Sequence, residues 1–162
     1  MSGKNKIVEL GRNNFKMRFF MLLKLPLAFF AGLKVTEIDN KKASISIPFK
    51  FLNKNPFQSI YFAALSMAAE LSTGILAMAA ISEVDKPVSM LVLEMNGKFI
   101  KKAKTKIVFT CLQGAEIMET VKRCIETEEG QIIQACSKGF DMDGNQVAEF
   151  YFTWTFKTKS KH

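Results

Sequence analysis

The chain has 162 residues, 48% of them hydrophobic, which is the size and apolar content of one domain with its own core. Its formal net charge of +8 favours an anionic partner (nucleic acid, a membrane surface, a phosphorylated cofactor or an acidic carrier protein) without choosing among them. The three cysteines, Cys111, Cys124 and Cys136, form no CxxC pair, so a disulfide framework and a structural zinc site are unsupported, and a reducing, cytoplasmic location is expected.

No repeat or linker interrupts the chain, so a single domain over residues 1–162 is expected, with residues 1–32 as an N-terminal helical segment. The apolar stretch 19–33 is interrupted by Lys24 and Pro26 and is shorter than the roughly 20 residues of a membrane span, so stable membrane insertion is not expected. Pro26 should break a helical pair that packs on a sheet. The alternative is a membrane-surface segment or an acyl-chain lid, because basic residues accompany the apolar ones.

A hairpin is predicted after this segment. Apolar and polar residues alternate over 43–50, which indicates a half-buried strand. The turn 39–42 joins this strand to another over 33–38.

A long buried helix is predicted next. Asn55 is an expected N-cap, with Pro56 in the first helical turn and Gln58 three residues after the cap. Residues 59–81 are almost wholly apolar, which is typical of a helix buried on all sides. The helix should end near residues 82–87.

Sheet signals dominate the remainder. Strands are predicted over 89–99, 107–111 and 131–140, with Asn96–Gly97 as a turn or bulge in the first of them, and an amphipathic helix over 114–126. The clearest alternation follows the turn 141–145 and places these residues on one face: Ala148, Phe150, Phe152, Trp154 and Phe156. A basic tail, 158–162, ends the chain. This order predicts an α+β fold in which an antiparallel sheet curls around the long helix.

These elements resemble the hotdog-fold thioesterase superfamily. Within it, the chain is most similar to an uncharacterised bacterial branch, a domain of unknown function related to phenylacetate-pathway-type acyl-CoA thioesterases. The stretches that carry the resemblance are 55–74, 88–111 and the last strand. The resemblance implies a long central helix wrapped by a curved antiparallel sheet, and a homodimer or a homotetramer built from dimers. It also implies an acyl-thioester substrate, with coenzyme A or an acyl carrier protein as its thiol part and no other cofactor required.

The resemblance also assigns roles to residues of the central helix. In thioesterases of this kind His-Gly-Gly opens the helix, and an Asp or Glu follows nine residues after the His. Here Glu70 takes the place of the carboxylate, nine residues after Tyr61, and Tyr61, Phe62 and Ala63 replace His-Gly-Gly. The family glycines let the thioester carbonyl approach a backbone N–H, whereas Phe62 keeps the N–H but adds a bulky side chain. This departure motivates an alternative function, a non-catalytic protein that binds an acyl group or another lipid.

Glu70 is the single carboxylate between residues 59 and 81. Burial would raise its pKa, which suits a general base that activates water, or it could attack the thioester carbon as a nucleophile. The alternative is a structural glutamate whose partners are local hydroxyls or another subunit. A stripe of small residues around Glu70 leaves room either for a ligand or for close helix packing: Ser59, Ala63, Ser66, Thr73, Gly74 and Ala77. Thr73 of this stripe is included with Glu70 in the expected catalytic set.

Polar and basic residues flank this helix in the sequence. The resemblance implies that Asn55 and Gln58 position a carbonyl or a water, and capping is the alternative for Asn55. A basic cluster follows, and the resemblance places it beside the nucleotide part of coenzyme A: Lys98, Lys101, Lys102, Lys104 and Lys106. The alternative for this cluster is a solvated turn that protects a sheet edge.

Other chemistries lack residues to carry them. The only histidine is His162, the last residue, whereas a Ser-His-Asp or Cys-His arrangement needs a histidine on the folded core. The sequence contains no dinucleotide fingerprint, P-loop or metal-ligand cluster. Nucleic-acid binding rests on charge alone, because the basic residues are not interleaved with exposed aromatics in a recognisable motif, so nucleic acid is not the expected partner.

Overall fold

A computed structural model describes residues 5–159 of the chain. Its elements in chain order are α1 (Lys6–Arg12), α2 (Asn14–Lys24), α3 (Pro26–Ala31), β1 (Lys34–Ile38), β2 (Ala43–Ile47), a 3₁₀ turn (Phe51–Asn53), α4 (Phe62–Ser82), β3 (Val88–Phe99), β4 (Ile107–Cys111), α5 (Gly114–Thr127), β5 (Gln131–Phe140) and β6 (Gln146–Thr158). Parts of the predicted helical segment 1–32 and basic tail 158–162, including His162, lie outside the described residues.

The strands form one six-stranded sheet in the order β1-β2-β4-β5-β6-β3. Every neighbouring pair is antiparallel. The sheet curves around α4, which packs against all strands but β1. This confirms the predicted α+β architecture of a long central helix wrapped by a curved antiparallel sheet.

The central helix is part of the core. Within residues 5–159, α4 alone is long and apolar enough to cross a membrane, but 67% of its most apolar stretch is buried inside the fold. Small residues such as Ala68, Ala69 and Ala77 are fully covered and let the sheet approach closely. The predicted burial of this helix is therefore confirmed.

The predicted start of the central helix is wrong. α4 begins at Phe62, six residues after the predicted first helical residue Pro56, with Tyr61 as its N-cap in place of Asn55. The Asn55 side chain instead closes a loop, because its Oδ1 accepts hydrogen bonds from the backbone N–H groups of Phe57 at 3.0 Å and Ser59 at 3.2 Å. Gln58 has a positive φ of 57°, which an α-helix cannot contain.

The predicted hairpin is confirmed as β1 and β2, which pair antiparallel. The prediction that the second strand is half-buried is wrong, since all five residues of β2 are buried. β2 has a neighbour on each edge, and its outward side chains are small serines. Ser44 Oγ lies 2.8 Å from Thr110 Oγ1 of β4, so this hydroxyl pair is hydrogen-bonded between strands.

β3 is continuous, so the predicted turn or bulge at Asn96–Gly97 is wrong. The irregularity lies earlier, between Val92 and Glu94, where Leu93 is an extra residue opposite β6. After the bulge, Gly97 pairs with Phe150. A Cβ at Gly97 would lie 2.7 Å from the Phe150 ring, so the ring uses the space that the missing side chain leaves.

The last strand and the short helix agree with their predicted faces. All five apolar residues expected on one face of β6 are buried. α5 buries Ile117, Val121 and Cys124 against the sheet, as its amphipathic pattern predicts. Through these contacts α5 packs against α4, β5 and β6.

The N-terminal segment is helical in its described part, with α1 preceding the pair α2 and α3. The predicted break at Pro26 is confirmed, because α2 ends at Lys24 and α3 begins at Pro26. Asn5 fixes α1 to the end of α4, since its Nδ2 donates to Ala79 O at 3.0 Å and to Glu83 Oε1 at 2.6 Å. The segment thus packs on β1 and α4, as expected, through one of its faces.

Candidate active site

Glu70 lies on α4 and borders a cavity of about 300 Å³. The far wall of this cavity is the junction between α2 and α3, which contributes Lys24, Leu25, Pro26, Leu27 and Ala28. Met67 and Leu71 of α4 complete the lining. We call this space the glutamate cavity. It is mainly apolar, with Glu70 as its one carboxylate.

The Glu70 carboxylate makes no hydrogen bond or ion pair with any residue in the range 5–159. In these residues every fully buried side-chain oxygen has a hydrogen-bond partner. Since the Glu70 oxygens have none, they are not fully buried and reach open space. Burial raises the pKa of the Glu70 carboxyl above its ordinary value. The residue therefore combines a proton affinity suited to a general base with access to a water or ligand.

Thr73 lies one turn after Glu70 but is fully buried. Its Oγ1 donates to the backbone oxygen of Glu70 at 2.9 Å and accepts the indole N–H of Trp154 at 2.9 Å. The hydroxyl is thus already bound on both sides. It anchors α4 to β6 beside Glu70. Thr73 was predicted to belong to the catalytic set, but its buried hydroxyl does not contact open space.

A second cavity, of about 540 Å³, lies at the start of α4. We call it the helix-start cavity. It is lined by Asn55, Pro56, Phe57, Ser59, Ile60, Tyr61, Phe62, Leu65, Phe99, Ile100, Lys101, Lys102 and Ala103. The Phe62 ring meets the Tyr61 ring edge-on, with centroids 4.8 Å apart, and the Phe99 ring at 6.3 Å. The ring of Phe62, at the position where the resemblance predicts the first glycine of His-Gly-Gly, is therefore packed between two other aromatic rings.

The two cavities open on different sides of α4. Leu65 of the helix-start cavity and Glu70 are five residues apart, which separates their side chains by about 140° around the helix. Of the predicted site residues, the structure brings together Asn55, Tyr61, Phe62, Lys101 and Lys102 at the helix-start cavity. It places Glu70 in the other cavity, and Gln58, Thr73, Lys98, Lys104 and Lys106 line neither.

Two residues of the predicted basic cluster, Lys101 and Lys102, line the helix-start cavity. Lys101 lies 3.5 Å from Asp141, and Lys98 lies 4.0 Å from Glu149. These pairs are on the surface, where such contacts contribute little to stability and leave the ammonium groups able to exchange partners. Lys102 is exposed at the rim. An anionic group in this cavity would meet Lys101 and Lys102 first.

The wall of the glutamate cavity was not predicted residue by residue. The sequence indicated that residues 1–32 could be an acyl-chain lid, and Pro26 marked the break in the segment. Nothing local in the sequence placed Lys24 and Leu27 opposite Glu70, because that proximity depends on how α3 docks on α4.

Other nucleophiles in the described residues are poorly suited to catalysis. Burial raises the pKa of the Cys111 thiol to about 11 and also raises that of Cys136, so neither is a thiolate at neutral pH. Cys124 is buried and its thiol donates to Phe156 O at 3.4 Å. Between residues 5 and 159, no three His, Cys, Asp or Glu side chains come together as metal ligands.

The sequence profile of the family described as Domain of unknown function (DUF4442) matches residues 11–156, so the chain belongs to this family. No curated protein matches the sequence significantly. The family assignment agrees with the resemblance predicted from residues 55–74 and 88–111, to a thioesterase-like hotdog family of uncharacterised function.

Solved structures share the fold over nearly the whole chain. A protein of unknown function from Pseudomonas aeruginosa, described as a probable thioesterase, is 19% identical with a TM-score of 0.75, covering 91% of this chain and 97% of its own. A Haemophilus influenzae thioesterase is 11% identical with a TM-score of 0.64, covering 89% and 91%. The PaaI protein of the E. coli phenylacetic acid degradation operon is 14% identical with a TM-score of 0.62, covering 92% and 94%. The chain therefore has the hotdog fold, as predicted.

Proposed function

We propose that this DUF4442 protein hydrolyses an acyl thioester of coenzyme A or of an acyl carrier protein, with Glu70 as the general base or nucleophile. The observation that carries the proposal is the Glu70 carboxylate itself, which faces an open, apolar cavity without a protein partner among residues 5–159. Thioesterases among proteins of the same fold support the choice of reaction.

In the general-base route, ionised Glu70 takes a proton from a water while the water oxygen bonds to the thioester carbonyl carbon. The C–S bond then breaks, and the leaving sulfur takes the proton from Glu70, which regenerates the carboxylate. In the nucleophilic route, the Glu70 carboxylate bonds to the carbonyl carbon, and the C–S bond breaks to release the thiolate. Water then hydrolyses the anhydride, which frees the acyl group as a carboxylic acid, regenerates the Glu70 carboxylate and supplies the proton that the thiolate takes up. The raised pKa strengthens the Glu70 carboxylate as a base, as the first route requires.

Backbone groups at the start of α4 would stabilise the charge on the carbonyl oxygen. α4 has no side-chain cap, and the backbone N–H groups of Phe62 and Ala63 have no backbone acceptor in the fold. First-turn N–H groups of a helix can donate to a developing oxyanion. Because Glu70 opens into a different cavity of the same chain, a complete site would combine the α4 start of one copy with Glu70 of another.

A homodimer is therefore part of the proposal, and the free edge of β3 supports it. β3 is 12 residues long and has β6 as its one partner strand in the sheet. It exposes Leu91, Leu93 and Met95, which are at least 48% accessible in the single chain. A long apolar edge strand favours pairing with another chain.

A non-catalytic acyl or lipid binder is the second candidate. The aromatic rings of Tyr61 and Phe62 favour it, since they stand at the helix start where the resembling enzymes have histidine and glycine. The helix-start cavity of about 540 Å³ is large enough for an acyl group without any reaction. A ligand retained through purification and found by native mass spectrometry would favour this candidate.

Hydrolysis of a panel of acyl-CoA thioesters, short, long and aromatic, tests the proposal. Glu70→Gln should reduce turnover by roughly 10²-fold or more, as expected for loss of a general base, while thioester binding persists. Glu126→Gln, an exposed glutamate on α5, is the matched control and should retain full turnover. Equal turnover by wild type and Glu70→Gln, or no turnover by either, would contradict hydrolysis catalysed by Glu70 and favour the non-catalytic binding function.

A further inference from the structure

The outer side of the N-terminal segment is apolar and exposed. α2 exposes 83% of Phe15, 57% of Phe19 and 61% of Leu23, and α3 exposes 72% of Leu27. We call the full set the docking face: Phe15, Phe19, Leu22, Leu23, Leu27 and Phe30. Contiguous apolar surface of this kind marks an interaction site in a folded protein.

The docking face follows helical periodicity. On α2 its members recur at steps of three and four residues, so they form one stripe along the helix. Met17 and Met21, on the opposite side, are buried against the rest of the protein. α2 therefore has two apolar sides: one is buried in the protein core and the other is exposed. Its polar residues lie between the two sides.

The segment that carries the docking face has charges of one sign in its own sequence. No aspartate or glutamate occurs between residues 10 and 36, whereas five basic residues do: Arg12, Lys16, Arg18, Lys24 and Lys34. Lys16 and Arg18 lie about 60° to 100° to either side of the Phe15–Phe19 line around α2. The Arg18 guanidinium lies 4.5 Å from the centroid of the Phe29 ring, so its stem covers apolar surface while its charge stays at the margin.

We propose that the docking face binds an anionic lipid surface, with its aromatic and leucine side chains at the boundary of headgroups and acyl chains. Lys16 and Arg18 would then lie at the level of the lipid phosphates. An amphipathic helix with large apolar residues on one side and basic residues beside them is suited to this position. A second copy of the chain fits less well, because a two-fold contact would place the same cations against each other.

Sedimentation with vesicles tests this on the full-length protein. We expect binding to vesicles of mixed phosphatidylglycerol and phosphatidylcholine, and at least about tenfold weaker binding to phosphatidylcholine alone, since electrostatic attraction contributes roughly fivefold per basic residue. Raising the salt to about 0.5 M should weaken the binding, because it screens the surface charge.

Variants assign the binding to this face. Phe19→Glu should weaken binding to the anionic vesicles at least tenfold, and Lys16→Glu should weaken it several-fold. Met142→Glu, at an equally exposed position in the β5–β6 turn, should bind like the wild type. All three positions are on the surface, and circular dichroism checks that each variant is folded.

Three results would overturn the proposal. The first is no binding of wild type to anionic vesicles at low salt, and the second is unchanged binding by Phe19→Glu. The third is a wild type that does not bind vesicles, together with a Phe19→Glu variant that no longer forms the oligomer. The docking face would then be covered by another copy of the chain.

Discussion

Glu70 and Gly74 share one small space on α4: Oε1 of Glu70 lies 3.0 Å from the point that a Cβ on Gly74 would occupy. Cζ2 of Trp154 lies 3.3 Å from the same point. The missing side chain at residue 74 thus makes room for both the carboxylate and the indole.

Gly74→Ala should separate activity from stability. Alanine is favoured over glycine in a helix by about 0.5–1 kcal/mol, which offsets the crowding against Trp154, so the free energy of unfolding should change by less than about 1 kcal/mol. The flexible Glu70 side chain should yield to the new methyl group, and thioester turnover should fall at least about tenfold. Urea denaturation and acyl-CoA hydrolysis measure the two effects. Full turnover in this variant would show that the present carboxylate position is not needed.

Glu70 should also make the stability of the protein depend on pH. Burial raises the pKa of the Glu70 carboxyl in the folded state, so as the pH rises this carboxyl loses its proton first in the unfolded chain. Deprotonation then favours the unfolded state, and the wild type becomes less stable. A glutamine at this position does not titrate, so the free energy of unfolding of Glu70→Gln should rise relative to that of the wild type. This difference should grow from about pH 4, where residue 70 of the wild type is mostly protonated in both the folded and the unfolded state, up to the folded-state pKa, and then level off. Urea denaturation from pH 4 to 8 measures this. Glu126→Gln should show no such gain, and parallel curves for Glu70→Gln and wild type would contradict the prediction.

Thr73→Val should destabilise the protein without a comparable effect on the chemistry. The valine leaves the buried Trp154 N–H without its acceptor, which costs about 1–3 kcal/mol. Thr73→Ser keeps the hydroxyl and should cost less. Thermal and urea denaturation rank the variants, and turnover per folded molecule should stay within a few-fold of wild type in both. A loss of turnover in Thr73→Val far beyond its loss of folded protein would restore Thr73 to the catalytic set.

Leu93→Lys should dissociate the proposed dimer. The lysine places a charge on the free edge of β3, where a second copy would have to pair. Light scattering after size-exclusion chromatography should show wild-type dimers and variant monomers. Met142→Lys, at an exposed turn position, should remain dimeric. A dimer that survives Leu93→Lys would place the subunit contact elsewhere.

Elements with a long, regular pattern could be predicted from the sequence. β5 has the predicted limits 131–140, and β6 buries the predicted face, because alternation over many residues admits one register. The bulge in β3 could not be predicted in the same way. One extra residue, Leu93, shifts the β3 positions that pair with the buried face of β6 from Met90 and Val92 before the bulge to Met95 and Gly97 after it, and nothing in the local sequence marks that shift.

The candidate site was predictable in its chemistry but not in its surroundings. A single glutamate in an otherwise apolar helix can be recognised from the sequence alone as a candidate functional residue. The loop before α4 does not, since its conformation depends on distant partners: Ile60 N–H donates to Ala103 O at 2.8 Å, and Tyr61 N–H donates to Asn53 O at 2.7 Å. Such contacts overrode the local N-cap signal at Asn55.

Trp154 gives this protein a built-in optical probe. It is the only tryptophan in the sequence, its N–H is held by Thr73, and its ring borders the same space as the Glu70 carboxylate. Indole emission from the whole chain therefore originates beside the proposed catalytic group. Its intensity and wavelength should follow the charge of the neighbouring Glu70 carboxylate, with no added label and no engineered reporter.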